Sequence, residues 1–179
     1  MKNTKVILFS GKGRFGKDTS AAMLKNIFEN RFSENVITIH FADALKMLCE
    51  TAYGWIKGDK GPVGRTILQN VGTMYRSNNP TCWVNIVREL VLGTDADYVF
   101  IPDCRYLTEA QGFEDFDHFI IRIERPNFDN GLTEEQRAHL SEVELDNYDG
   151  FDLTISNSGT LEDLETKISY LANYIHLST

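Results

Sequence analysis

Apolar positions along the chain follow two patterns in alternation. Short runs dense in Val, Ile and Phe occur at Lys5–Ser10, Val36–Phe41, Tyr98–Pro102, His118–Ile123 and Leu153–Ser156. Most lack a polar face, as parallel strands buried on both sides do. Between them, apolar residues recur at helical spacing. Asp18–Arg31 carries Ala21, Met23, Leu24, Ile27 and Phe28, and Trp83–Leu92 carries Val84, Val87, Leu90 and Val91 on one face. Leu161–Ile175 carries a stripe of Leu161, Leu164, Ile168, Leu171 and Ile175, while Ala42–Ala52 and Ile67–Val71 also read as helices. Thr160 is predicted to N-cap the last helix. Asp163 is shorter than the Glu or Gln of a capping box, so only the cap is expected there. Alternating strands and helices predict an α/β fold, with a parallel sheet covered by helices on both faces. Two stretches lack periodicity. Gly54–Gly64 reads as an ordinary surface loop, and the polar stretch Asn127–Tyr148 reads as a candidate mobile segment.

The first strand runs directly into Gly11-Lys12-Gly13-Arg14-Phe15-Gly16-Lys17, which has the spacing G-x-x-x-x-G-K. In such a loop the glycines let successive N–H groups point inward at phosphate oxygens. The following helix adds its positive dipole end, and the lysine reaches the β- and γ-phosphates. Strand, loop and helix occur in the required order. The residue after Lys17 is Asp18, where Ser or Thr usually serves Mg²⁺, and Thr19 follows. Either Asp18 or Thr19 serves the metal, or Asp18 only stabilises the first helical turn. Gly11, Gly13, Arg14, Gly16, Lys17, Asp18 and Thr19 are therefore the candidate ATP-binding residues.

Composition narrows the picture. The 179 residues suit one domain with a substantial core, and 42% hydrophobic with 25% charged residues is ordinary for a soluble globular protein. A net charge of −8 disfavours binding to a nucleic acid polymer, so the cations for any phosphate must be gathered locally. Cys49, Cys82 and Cys104 lack metal-ligand spacing and read as buried free thiols in a reducing compartment. No apolar run reaches the length of a membrane span, and the early first strand argues against a signal peptide.

Further blocks join the loop: Phe41-Ala42-Asp43-Ala44-Leu45-Lys46, Arg65-Thr66-Ile67-Leu68-Gln69-Asn70-Val71-Gly72-Thr73, Arg76 and Trp83. Later come Ile101-Pro102-Asp103-Cys104-Arg105, Arg122-Ile123-Glu124-Arg125-Pro126, His139-Leu140-Ser141-Glu142 and Ile155-Ser156-Asn157. In this order, and with the Lys17-Asp18-Thr19 variant, the set resembles the bacteriophage-type deoxynucleoside monophosphate kinases over nearly the whole chain. The resemblance implies a P-loop NTPase three-layer fold, adenylate-kinase-like, with a five-stranded parallel sheet and a small lid at residues 127–148. It implies transfer of the γ-phosphoryl of ATP to a dNMP with Mg²⁺. It also implies a cytoplasmic location (the host cytoplasm for a phage-encoded chain) and admits a homodimer.

Two anionic substrates must meet end to end, so cations are needed opposite Lys17. Arg65, Arg76 and Arg105 are the candidates, because guanidinium forks match phosphate oxygens. Arg105 lies just past a predicted central strand, at the sheet edge where α/β proteins bind ligands, and its structural alternative is an ion pair with Glu109. Asp103, on the same edge, either orients Mg²⁺ through water or holds an arginine. Asp43 is a candidate N-cap of its helix. The resemblance adds an acceptor-side role for Asp43 and Lys46, and Gln69 can pair with a base edge. Trp83 reads as core, and Gly72 as room for helix packing. Arg125 in the Arg-Pro block is the expected lid arginine, ahead of Arg137. Asn157 matches the adenine-contact position, or is a turn residue. His139, Ser141 and Glu142 belong to the resemblance without an assigned role. Another small-molecule kinase, of the phosphomevalonate or dephospho-CoA kinase type, is the near alternative. A slowly hydrolysing nucleotide switch is the distant one, although no N-K-x-D guanine motif is present.

Overall fold

The computed structural model describes residues 4–59 and 61–178. Five strands, β1 (Lys5–Ser10), β2 (Val36–Thr38), β3 (Tyr98–Cys104), β4 (His118–Glu124) and β5 (Leu153–Ser156), form one parallel sheet in the order β2-β3-β1-β4-β5. The helices are α1 (Lys17–Arg31), α2 (Ala42–Ala52), α3 (Pro62–Asn78), α4 (Cys82–Leu92), α5 (Leu107–Gln111), α6 (Glu134–Ala138), α7 (Leu140–Val143) and α8 (Leu161–Leu177).

Strand residues alternate between two cores, as the pleat requires. Ile7, Phe9, Phe100, Ile121, Ile123 and Ile155 pack with Leu24 and Phe28 of α1 and Ile168, Leu171 and Ile175 of α8. Val6, Leu8, Val99, Ile101 and Ile120 pack on the other face with Val84, Val87 and Val91 of α4 and Ala110 of α5. A third cluster joins Leu45, Cys49, Trp55, Val71 and Trp83 between α2, α3 and α4. Trp83 is thus a core residue. Gly72 does admit close packing, since a Cβ there would lie 3.2 Å from Leu45 Cδ2. Cys49 and Cys104 are buried, but Cys82 is only half-buried.

Several boundaries differ from expectation for local reasons. The strand expected to end at Pro102 continues to Cys104. Register runs Leu8↔Ile101 and then Ser10↔Cys104, so Pro102 and Asp103 oppose Phe9 alone. A bulge accommodates the proline, which has no N–H for the ladder. β2 stops at Thr38 and not Phe41, because the chain turns at His40–Phe41 into α2. The helix expected at Ile67–Val71 spans Pro62–Asn78 and begins inside the stretch read as a loop. Pro62 occupies its first turn, where a missing N–H is harmless. Lys60, in that same stretch, lies outside the described residues. Within residues 127–148 the chain forms α6 and α7, and α5 was unforeseen; all three are too short for periodicity to register. Asp163 does complete a capping box. Its carboxylate accepts from Thr160 N at 2.7 Å while Thr160 Oγ1 accepts from Asp163 N at 3.1 Å.

Phe28 is fully buried and meets Tyr98 and Phe100 edge-on at 4.6 and 5.8 Å. Phe28→Ala should lower unfolding free energy by about 3 to 5 kcal/mol in urea titrations, through lost burial and a residual cavity.

Candidate active site

The site assembles at the C-terminal edge of the sheet, where β1, β3 and β4 deliver their loops. Gly11 (φ 142°) and Gly16 (φ 98°) adopt backbone conformations closed to other residues. A Cβ at Gly11 would strike the Ile123 carbonyl oxygen, and one at Gly16 the Asn157 side-chain amide. Arg14 also takes a left-handed φ of 63° and donates through Nη1 to Asn130 O at 2.8 Å. Lys17 opens α1. Its ammonium is buried and donates to Lys12 O at 2.9 Å, inside the loop it closes. Burial, reinforced by the positive charge of Arg105, pulls the Lys17 pKa down to about 7, while Glu142, Asp18 and Asp103 act in the opposite direction.

Three consecutive loop residues are met by the segment after β4. Besides Arg14 with Asn130, Gly13 N donates to Glu142 Oε2 at 2.7 Å, and Lys12 pairs with Asp146 at 2.8 Å. The other Glu142 oxygen receives Arg65 Nη1 at 3.4 Å and Arg105 Nη1 in a short ion pair. Arg105 Nη1 also donates to Ser141 O at 3.1 Å. Lys17, Arg65 and Arg105, from α1, α3 and the end of β3, therefore converge beside the loop with Glu142 among them. The Arg105 guanidinium pairs with Glu142 and not with Glu109.

The other sequence candidates take no part in the Glu142 ion pairs, although Asp103 is near enough to favour the charged forms of Lys17 and Arg105. Arg76 pairs with buried Glu109 at 3.0 Å and stacks 3.6 Å over the Tyr106 ring. Glu109 also accepts from the N–H groups of Arg105 and Tyr106 at 2.7 and 3.2 Å, and burial pushes its pKa upward. It thereby holds the chain immediately after β3. Among the described residues Asp103 makes no hydrogen bond to an arginine, though its charge favours the Arg105 guanidinium. Its two oxygens accept from Phe41 N and Ala42 N, each at 3.0 Å, and so cap α2 from another strand. Asp43, the expected N-cap, instead sits in the first turn and pairs with Lys46 at 3.2 Å and His40 at 3.3 Å. Gln69 Nε2 reaches Ser141 Oγ at 3.5 Å. Asn157 donates through Nδ2 to Phe15 O at 3.0 Å, bracing the loop from behind. Arg125 stacks 3.7 Å from the Phe128 ring, beside a cavity of about 390 Å³ that Lys12, Phe15 and Asp146 also line. Arg137 pairs with Asp129 at 3.8 Å.

Asp18 and Thr19 are both exposed at the start of α1, with Asp18 Oδ1 4.0 Å from His40 Nε2. Among the described residues, no group of three or more His, Cys, Asp or Glu side chains is placed to hold a metal. One carboxylate and one hydroxyl at the loop fit a hydrated Mg²⁺, which takes most of its ligands from water and substrate phosphates.

Glu142 is the residue whose place the sequence did not disclose. Its block was recognisable, but a four-residue helix carries no periodic signal that its acidic side chain is buried.

Similarity to known proteins agrees with this geometry. Residues 59–168 match the deoxynucleotide monophosphate kinase family. A protein of Acanthamoeba polyphaga mimivirus described as a "putative deoxynucleotide monophosphate kinase" is 30% identical over 189 aligned positions, covering 90% of this chain and 92% of the viral one. In structure, the chain is similar to the APS kinase CysC of Mycobacterium tuberculosis in complex with AMPPNP and APS (TM-score 0.56, 13% identity, 98% and 99% of the two chains). It is also similar to dephospho-CoA kinase from Campylobacter jejuni (TM-score 0.50, 16% identity, 98% of each). At these identities the two structures speak for the fold. Sheet order, glycine loop and buried lysine define a P-loop NTPase fold, and the family match makes the chain a kinase, a phosphotransferase. Within that class, the chain belongs to the deoxynucleotide monophosphate kinase family.

Asp103→Ala should remove both acceptors from the start of α2 and lower stability by about 1 to 2 kcal/mol in urea titrations, with Asp103→Asn less affected because it keeps one acceptor.

Proposed function

We propose that the protein transfers the γ-phosphoryl group of ATP to a deoxynucleoside monophosphate, giving ADP and the deoxynucleoside diphosphate. The observation that carries this reading is the convergence of Lys17, Arg65 and Arg105 beside the glycine loop. A nucleotide-hydrolysing switch needs cations on one triphosphate. Two arginines beside the loop lysine suit a second anionic substrate, and family membership favours a deoxynucleotide in that place.

In this reading the loop N–H groups and Lys17 hold the β- and γ-phosphates of ATP. The phosphate charge would raise the lowered pKa of Lys17 and keep its ammonium protonated. Arg65 and Arg105 hold the acceptor phosphate on the far side. One acceptor oxygen attacks the γ-phosphorus in line, the bond to the β–γ bridging oxygen breaks, and ADP leaves with that electron pair. The acceptor is already an anionic nucleophile, so no general base is required. Catalysis consists of alignment and charge neutralisation. Mg²⁺, held by Asp18 or Thr19, would neutralise charge on the β- and γ-phosphate oxygens. Within the lid segment 127–148, residues 127–138 are the part that moves, Arg125 at their root swings toward the transferring group on closure, and residues 139–148 stay tied to the loop through Glu142 and Asp146. Asp43, Lys46 and Gln69 lie toward the acceptor nucleoside, with Arg76 supporting them from its seat on Glu109. Asn157 supports the loop on the donor side.

Lys17→Met should leave the circular dichroism spectrum unchanged and lower kcat by on the order of 10³-fold or more. Retention of most of the rate would remove Lys17 from the site.

Coupled measurement of ADP release across acceptors tests the substrate class. The kcat/KM values for dGMP, dTMP, dCMP and dAMP should exceed those for GMP, UMP, CMP and AMP, by up to about 10²-fold where only packing excludes the 2′-hydroxyl. Equal or higher values for the ribonucleotides would indicate a general nucleoside monophosphate kinase. No acceptor-dependent turnover with any of them would defeat the proposal.

A further inference from the structure

Glu142 is a carboxylate in an unusual place for an enzyme that binds two anions. Its side chain is 1% exposed. A desolvated carboxylate must be fully partnered, and this one is. Oε2 takes the Gly13 N–H at 2.7 Å, while Oε1 takes Arg65 at 3.4 Å and the short contact from Arg105. The two oxygens thus divide their work. One is tied to the loop that receives the donor phosphates, the other to the guanidiniums assigned to the acceptor. Among the described residues, the guanidiniums of Arg65 and Arg105 form hydrogen bonds only through Nη1. Their Nη2 and Nε hydrogens remain for another anion.

The helix that carries Glu142 is itself held. His139 caps it, accepting from Ser141 N at 3.2 Å, and His139 Nε2 lies 3.1 Å from Thr73 Oγ1. With Gln69 reaching Ser141, two residues of α3 set the position of α7. Arg65 comes from that same helix. The carboxylate therefore spans a rigid interval between loop and arginines, and its charge offsets the repulsion among Lys17, Arg65 and Arg105. In-line transfer depends on that interval, because a displacement of about 1 Å can cost on the order of 10²-fold in rate.

We propose that Glu142 is a positioning residue for phosphoryl transfer, whose carboxylate sets Arg65 and Arg105 at a fixed distance from the phosphate loop. The proposal rests on the reading of those two arginines as acceptor-phosphate ligands.

Glu142→Gln keeps the shape and an acceptor for Gly13 but removes the charge. It should lower kcat with dNMP by on the order of 10²-fold, while the Kd for ATP alone, measured calorimetrically, changes by less than about threefold. In an Arg105→Ala background the same substitution should cost under about tenfold, because the group it positions is gone. Glu142→Asp retains the charge with a shorter reach. It guards against a Gln variant that fails to fold, and should itself lose about tenfold in kcat. Wild-type kcat in both variants would overturn the proposal. So would an equal loss in both backgrounds, or tighter ATP binding with undiminished kcat, which would make Glu142 a resident anion that phosphate displaces. If the wild type turns over no dNMP, the acceptor reading fails separately. The side-chain Nε–H NMR signals of Arg65 and Arg105 then decide. Discrete signals in the wild type that average out in Glu142→Gln support positioning, and signals unchanged by the substitution overturn it.

Discussion

A phosphotransferase must hold cations close together before any phosphate arrives to neutralise them. Here Lys17, Arg65 and Arg105 meet beside the glycine loop, and Arg105 disfavours the charged forms of both Lys17 and Arg65. Burial adds to the cost of each charge. Left to themselves, these side chains would turn outward to water. The buried carboxylate of Glu142 offers a local counter-charge, and the Lys12 carbonyl receives the Lys17 ammonium. The cations thus keep their geometry through a counter-charge and an acceptor that the protein itself supplies.

That arrangement depends on how β3 ends. Pro102 cannot donate to the ladder, and the bulge it shares with Asp103 releases the strand at the sheet edge. Past the bulge, Asp103 seizes the start of α2, and Glu109 gathers the N–H groups of Arg105 and Tyr106 together with the Arg76 guanidinium. Two acidic residues fix the backbone from which Arg105 projects. α2 and α3 are then joined through Leu45 and Val71 in their own small core, which carries Arg65 to its place. The main cores on the two sheet faces supply the platform.

Much of this was legible in the chain. Four of the five strands stand in runs dense in Val, Ile and Phe, and four of the five long helices were found near their observed limits because an amphipathic stripe of three or more turns leaves a clear period. The glycine loop was readable for a different reason. Its positive φ angles admit little besides glycine, so Gly11 and Gly16 mark backbone geometry directly. Short elements escaped, since α5, α6 and α7 are each one turn or little more. Asp43 was expected as a cap because it stands near a helix start. The acceptor that caps α2 is Asp103, 60 or so residues distant in sequence.

The sequence by itself therefore determined the α/β architecture, the phosphate loop and the set of arginines available to a second anion, because period, glycine placement and charge are local properties. Only the tertiary structure decided which arginines meet. Arg65 and Arg105 converge on Glu142 while Arg76 is committed to Glu109 and Tyr106. That choice is made by burial and by the pairing of charges brought together from α3, the end of β3 and α7. No local pattern encodes it, since the energy of a buried ion pair exists only once the distant segments have excluded water from it.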